Sequence, residues 1–143
     1  MAPMKRKRKR SSTRAEVSTP PGLEVRSVPR KGRGVFAARL FRRGALIECC
    51  PVLPIPAKDW RHLRRTALAG YPYDWESSPG DFALVLGLGS LYNHAARPNA
   101  GNQERPDLRP MDFIALRDIR KGEEITVDYA SGGGASALWF RPR

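Results

Sequence analysis

The apolar run Phe82-Ala83-Leu84-Val85-Leu86 is cut off by glycines at 87 and 89, and from there to Ala100 the chain reads GLGSLYNHAARPNA. An apolar run closed by a glycine pair reads as a strand that ends in a turn. The Asn93-His94 pair comes next, and Pro98-Asn99 makes a second turn. Both side chains of the pair donate and accept hydrogen bonds on short stems. Two readings are open at this point: a histidine satisfied within the core, or a polar pair set at the end of a buried segment to meet a polar small molecule.

The same punctuation recurs along the chain. Leu23-Glu24-Val25-Arg26 alternates apolar and charged residues as a half-buried strand does. The basic loop Pro29 to Gly34 comes next, then Val35–Ala38 as a strand, a turn at Phe41–Gly44, and a third strand over Ala45–Cys50, stopped by Pro51. Prolines at 51, 54 and 56 restrict that segment to extended or edge structure. Asp59 is placed to cap a helix over Trp60–Leu68 that Gly70 ends. Tyr71, Tyr73 and Trp75 alternate, which puts them on one face of an extended segment. Residues 101–110 read as a hairpin loop, Met111–Leu116 as a strand, and Glu123–Tyr129 as a last strand. Glu123 and Glu124 fall at its turn, partly solvated, one of them suited to an ion pair. The expected architecture is mainly β, with one or two short helices.

The 143 residues suit one domain. Of the net charge of +12, the first 14 residues carry +7, in an unbroken run from Lys5 to Arg10 plus Arg14. Such a run cannot bury apolar surface, so residues 1–20 read as a disordered basic tail and 21–143 as the folded domain. The run suits phosphate backbones or acidic protein surfaces, or is simply solvated. The body shows no obvious basic–aromatic stripe. Two adjacent cysteines, Cys49 and Cys50, fit a reducing compartment better than a disulfide framework, and no metal-ligand spacing occurs. No apolar stretch approaches the ~20 residues of a membrane span, and no apolar segment comes after the basic run as a signal peptide would require.

Four segments stand in a fixed order: KGRGVFAARLFRRGALIE (31–48), YPYDW (71–75), ALVLGLGSLYNHAARPNA (83–100) and FIALRDIRKGEEITVDYA (113–130). Together they resemble the SET domain of protein-lysine methyltransferases over residues 23–141, in its small stand-alone, viral or bacterial form. The resemblance implies a β-clip fold of small sheets with a C-terminal pseudoknot, in which the last strand threads beneath the loop carrying Asn93-His94. It implies S-adenosylmethionine as cofactor, with Lys31, Gly32, Arg33 and Gly34 receiving its methionine end. Asn93 and His94 would hold its amino-acid and adenine portions, Tyr129 would be the catalytic tyrosine, Tyr71 would line the lysine channel, and Trp139 and Phe140 would cover the cofactor. Ala95 stands where relatives often have Ser or Cys. Val127 stands where Phe or Tyr is common, which leaves the number of methyl groups added open. No cysteine-rich zinc-binding segment flanks the motifs.

The implied function is transfer of methyl groups to lysines of a basic, histone-like or other, protein. Methyl transfer from a sulfonium requires a neutral amine, and free lysine has a pKa near ~10.4. Apolar, aromatic walls push that value down. Two other classes compete: a catalytically silent SET-like module recruiting chromatin, and a nucleic-acid binder acting through residues 5–10. Location depends on the source: cytoplasm or nucleoid in a bacterium, nucleus in a eukaryote. The smallest relatives suggest a homodimer.

Overall fold

The computed structural model describes residues 19–75, 78–105 and 110–129. Within them the chain forms nine strands and one α-helix of four residues. The first two strands, β1 (Leu23–Val28) and β2 (Gly32–Ala37), make an antiparallel hairpin. Its three-residue loop places Arg30 in the left-handed region at φ 65° and leads into Gly32 at φ 80°, the backbone pattern that lets a short hairpin loop keep to the strand twist. Both glycines of the basic loop therefore belong to β2 itself.

The third strand, β3 (Leu46–Ile55), is ten residues long and passes through Pro51 and Pro54 rather than stopping at Cys50. Leu46–Pro51 pair with β8 (Pro110–Ala115), whereas Val52–Ile55 pair with β5 (Phe82–Val85). Each half has a partner along one flank only, so a proline's missing donor is tolerated there as it is on an edge. The expected helix over Trp60–Leu68 is also replaced. A 3-10 turn at Ala57–Asp59 runs into α1 (Trp60–Leu63), and a second 3-10 turn covers Ala67–Gly70. Thr66 makes the break: its hydroxyl donates to the Leu63 carbonyl at 2.8 Å and accepts from the Leu68 N–H at 3.2 Å. Asp59 makes no side-chain cap.

The remaining strands are β4 (Tyr73–Asp74), β6 (Asn93–His94), β7 (Ala100–Glu104) and β9 (Glu124–Val127). Strand β7 takes up part of the segment expected to be a loop, because its small and polar residues pair with Met111–Ala115 of β8. Two sheets result, ordered β1-β2-β9-β6 and β4-β5-β3-β8-β7. The core lies between them. Strand β8 supplies Met111, Phe113 and Ala115 at alternate positions, and Val35, Ala37, Ile125 and Val127 close on them from the first sheet. Strand β9 lies between β2, antiparallel, and β6, parallel, which is the pairing the pseudoknot requires.

Candidate functional site

Strand β6 is only two residues long, and its pairing with β9, Asn93 opposite Thr126 and His94 opposite Val127, is reinforced by side chains. Asn99, 3% exposed, donates from Nδ2 to the Glu124 carbonyl at 2.8 Å and accepts the Thr126 N–H at 2.8 Å through Oδ1. Its amide thus imitates one more strand residue beside β9. Asn93 donates from Nδ2 to the Glu124 carboxylate at 2.7 Å and to the Arg33 carbonyl at 3.0 Å. Gly34 is where these groups crowd. A Cβ there would stand 2.7 Å from Glu124 Oε1, 2.8 Å from Val28 Cγ2 and 2.9 Å from Asn93 Nδ2. The second glycine of the pair is therefore demanded by close approach rather than by its φ.

Tyr129 lies directly beyond β9. Its hydroxyl donates to the Tyr92 carbonyl at 2.8 Å, and its N–H donates to His94 Nδ1 at 3.2 Å. The same His94 Nδ1 lies 3.6 Å from Asp128 Oδ1. Burial pushes the Tyr129 phenol above its ordinary value, the His94 backbone N–H opposes this, and Glu124 and Tyr71 push it further up. At neutral pH the group is a protonated hydroxyl, whose donor is engaged by the Tyr92 carbonyl.

Behind Tyr129 stands a second, fully buried tyrosine. Tyr92 donates to Glu48 Oε2 at 2.8 Å, and Glu48 Oε1 accepts the Leu88 N–H at 3.0 Å. Gly87, at φ 63°, passes so close that a Cβ would lie 2.6 Å from Glu48 Oε1. The carboxylate thus holds both the turn after β5 and the residue whose carbonyl anchors Tyr129. Tyr73 donates to the Gly89 carbonyl at 2.9 Å and meets Phe113 edge-on, and burial raises its phenol strongly.

The structure brings Arg33, Gly34, Asn93, His94 and Tyr129 into one connected set. Tyr71 reaches the set through its electrostatic influence on the Tyr129 phenol; it lies after the second 3-10 turn, 40% exposed, not on a strand face with Tyr73 and Trp75. Lys31 and Gly32 sit on the exposed hairpin end, with open space where a Gly32 Cβ would stand. Trp139, Phe140 and the run 5–10 lie outside the described residues. Glu48, Tyr73, Tyr92, Asn99 and Glu124 belong to the same network, and none stands out from sequence as a site residue. Of these, Asn99 carries a usable signal, because it closes the same Asn93–Asn99 motif. Glu124 reads from sequence as a turn carboxylate and proves to be the acceptor that Asn93 needs, while Glu123 pairs with Arg117 at 2.9 Å.

A sequence model of the SET domain matches residues 32–130. A Schizosaccharomyces pombe relative, the histone-lysine N-methyltransferase specific for H3 lysine-37, is 36% identical over 119 residues, covering 82% of this chain and 76% of the relative. The Drosophila pseudoobscura histone-lysine N-methyltransferase Set8 is 28% identical over 135 residues, but the match spans only 19% of its length. Among solved structures, a Plasmodium falciparum protein described as a putative histone methyltransferase superposes with TM-score 0.63 at 26% identity, over 80% of this chain and 96% of its own. The Neurospora SET-domain protein DIM-5 superposes with TM-score 0.60 at 18% identity, over 78% of this chain and 53% of its own, which bears on fold alone. A match over residues 32–130, most of the chain, places the protein in the SET-domain family.

Proposed function

We propose that this chain is a protein-lysine methyltransferase that uses S-adenosylmethionine and acts on a basic, histone-like protein. The observation that carries the proposal is the Tyr129 hydroxyl, oriented by the Tyr92 carbonyl and set on the same strand junction that joins Asn93 to the Gly32–Gly34 start of β2. SET relatives use this cofactor, and the residues here fit it. The side chains of Lys31 and Arg33 are exposed and make no hydrogen bond or ion pair with described residues, so they suit an amino-acid carboxylate. The space above Gly32 leaves backbone within reach of a ligand.

When bound, the cofactor supplies an electrophilic methyl group on a positively charged sulfur. Tyr129, its hydroxyl held by the Tyr92 carbonyl, would orient a lysine amine with its nitrogen lone pair toward the reacting carbon. The desolvation that raises the Tyr73 and Tyr129 phenols would also disfavour a charged ammonium beside them, although Glu124 acts in the opposite sense. Asn93 and His94 act by fixing backbone: one ties β2 to β9, the other takes the Tyr129 N–H. Trp139 belongs to the proposal as a cover, and Tyr71 as a wall of the lysine channel.

The histone-methylating relatives are eukaryotic, which favours a nuclear site of action over a nucleoid one. A homodimer, a folded unit beginning at residue 21 and nucleic-acid contact through residues 5–10 remain part of the proposal. Incubation with labelled S-adenosylmethionine and a panel of basic proteins tests it: label should appear as methyl-lysine. Absence of label on every histone, with cofactor binding intact, would count against the assignment.

A further inference from the structure

The segment Ala57–Gly70 contributes nothing to the site above, yet it carries a built feature of its own. Lys58, Arg61 and Arg64 succeed one another at intervals of three through the 3-10 turn and α1. Positions so spaced stack on one side of such a helix. Together with Ala57 and Trp60 they line a groove of about 450 Å³.

Two contacts anchor the groove where Ala57 and Trp60 line it. The Trp60 ring stacks on Phe82 of β5, centroids 4.6 Å apart, and the Ala57 N–H donates to Asp81 Oδ1 at 2.8 Å. The Ser78 hydroxyl holds the other oxygen of Asp81 at 2.7 Å. The three cations are exposed, and the lining holds no carboxylate. Lys58 and Arg64 make no side-chain hydrogen bond or ion pair with described residues, and Arg61 donates only to the neighbouring His62 ring at 3.0 Å.

A second basic groove of the molecule is different. There Arg42 pairs with Asp118 at 3.0 Å and Arg117 with Glu123 at 2.9 Å, so its own acids neutralise much of its charge. Like charges stacked along one short helix repel and weaken the turn they share. A ligand that neutralises all three relieves this.

We propose that the Lys58–Arg61–Arg64 groove is a contact site for the phosphate backbone of double-stranded DNA. The charges form a fixed line, which suits a stiff polyanion that needs no ordering on binding; an acidic peptide would have to be ordered first. Guanidinium forks match phosphate oxygens. Apart from Ala57 and Trp60 the lining is cationic, as contacts to phosphate oxygens require. The inference is independent of methyl transfer and of the basic run at residues 5–10.

The test is the salt dependence of binding of the full chain to a short duplex of arbitrary sequence. Replacing Lys58, Arg61 and Arg64 by Ala should lower the slope of log K against log salt by about 3, since each phosphate contact contributes ~0.9. It should also weaken binding at low salt at least ~10-fold. R61K/R64K should keep the parental slope. If the triple variant fails to fold, Arg64→Ala alone should still lower the slope by about 1. An unchanged slope and affinity in the folded variants would overturn the proposal. So would a larger loss of binding to poly-glutamate than to DNA, which would make the groove a site for acidic protein.

Discussion

The two sheets hold their strands together by different means. In the five-stranded sheet, β3 and β8 share a long register and β8 turns Met111, Phe113 and Ala115 inward, so alternation and apolar burial suffice. In the four-stranded sheet, β6 contributes two residues, too few for a ladder to hold, and the amides of Asn93 and Asn99 complete it. The polar residues of the motif are thus structural. Removing such a residue confounds fold with chemistry, whereas a hydroxyl such as that of Tyr129 can be removed almost alone.

The contrast can be broken most forcefully in the apolar sheet. Phe113→Ala, at a position with no exposure that packs on Tyr92 and Tyr73, should cost about 3–5 kcal/mol in denaturant unfolding. Asn99→Ala should come next at about 2–4 kcal/mol, because the Glu124 carbonyl and Thr126 N–H lose their partner inside the fold. If Asn99→Ala unfolds no more easily than the parent, the clasp is not what holds β6 to β9. Tyr92→Phe should cost about 1–3 kcal/mol by removing the phenol hydrogen bond to the buried Glu48 carboxylate. The smallest effect belongs to Arg117→Ala. That pair with Glu123 is largely exposed, and its loss should change stability by no more than about 1 kcal/mol, less at high salt.

Much of this is legible in the chain. The alternation of Met111 to Leu116 marks β8 within a residue at each end, and β9 falls inside the strand expected over Glu123–Tyr129. The order of the four motifs points to the fold, which strand periodicity alone cannot, since the parallel pairing of β6 with β9 joins segments far apart in the chain. Glu48 is hidden for a physical reason. By strict alternation it shares a face with Leu46, which is 51% exposed, but a bulge sets Leu46 and Glu48 opposite consecutive residues, Ile114 and Phe113, and turns Glu48 inward. The extension of β3 past Pro51 depends on which flank is free, a tertiary fact. Thr66 sits inside an apparent helix pattern, although its hydroxyl competes for the backbone and splits the helix. The line of Lys58, Arg61 and Arg64 becomes a groove wall only once the segment has turned and Trp60 has stacked on Phe82.

The most direct measurement is the single-turnover rate of Tyr129→Phe on a methyl-accepting histone peptide, taken with its melting curve and its calorimetric affinity for S-adenosylmethionine. The lost hydrogen bond to the Tyr92 carbonyl should cost about 1 kcal/mol of stability, and cofactor affinity should stay at the parental level. The rate should fall by a factor on the order of 10² or more, as for removal of a positioned polar group from a transition state. A near-parental rate in the folded, cofactor-binding variant would contradict a catalytic role for Tyr129 and leave its hydroxyl as a strand-end anchor.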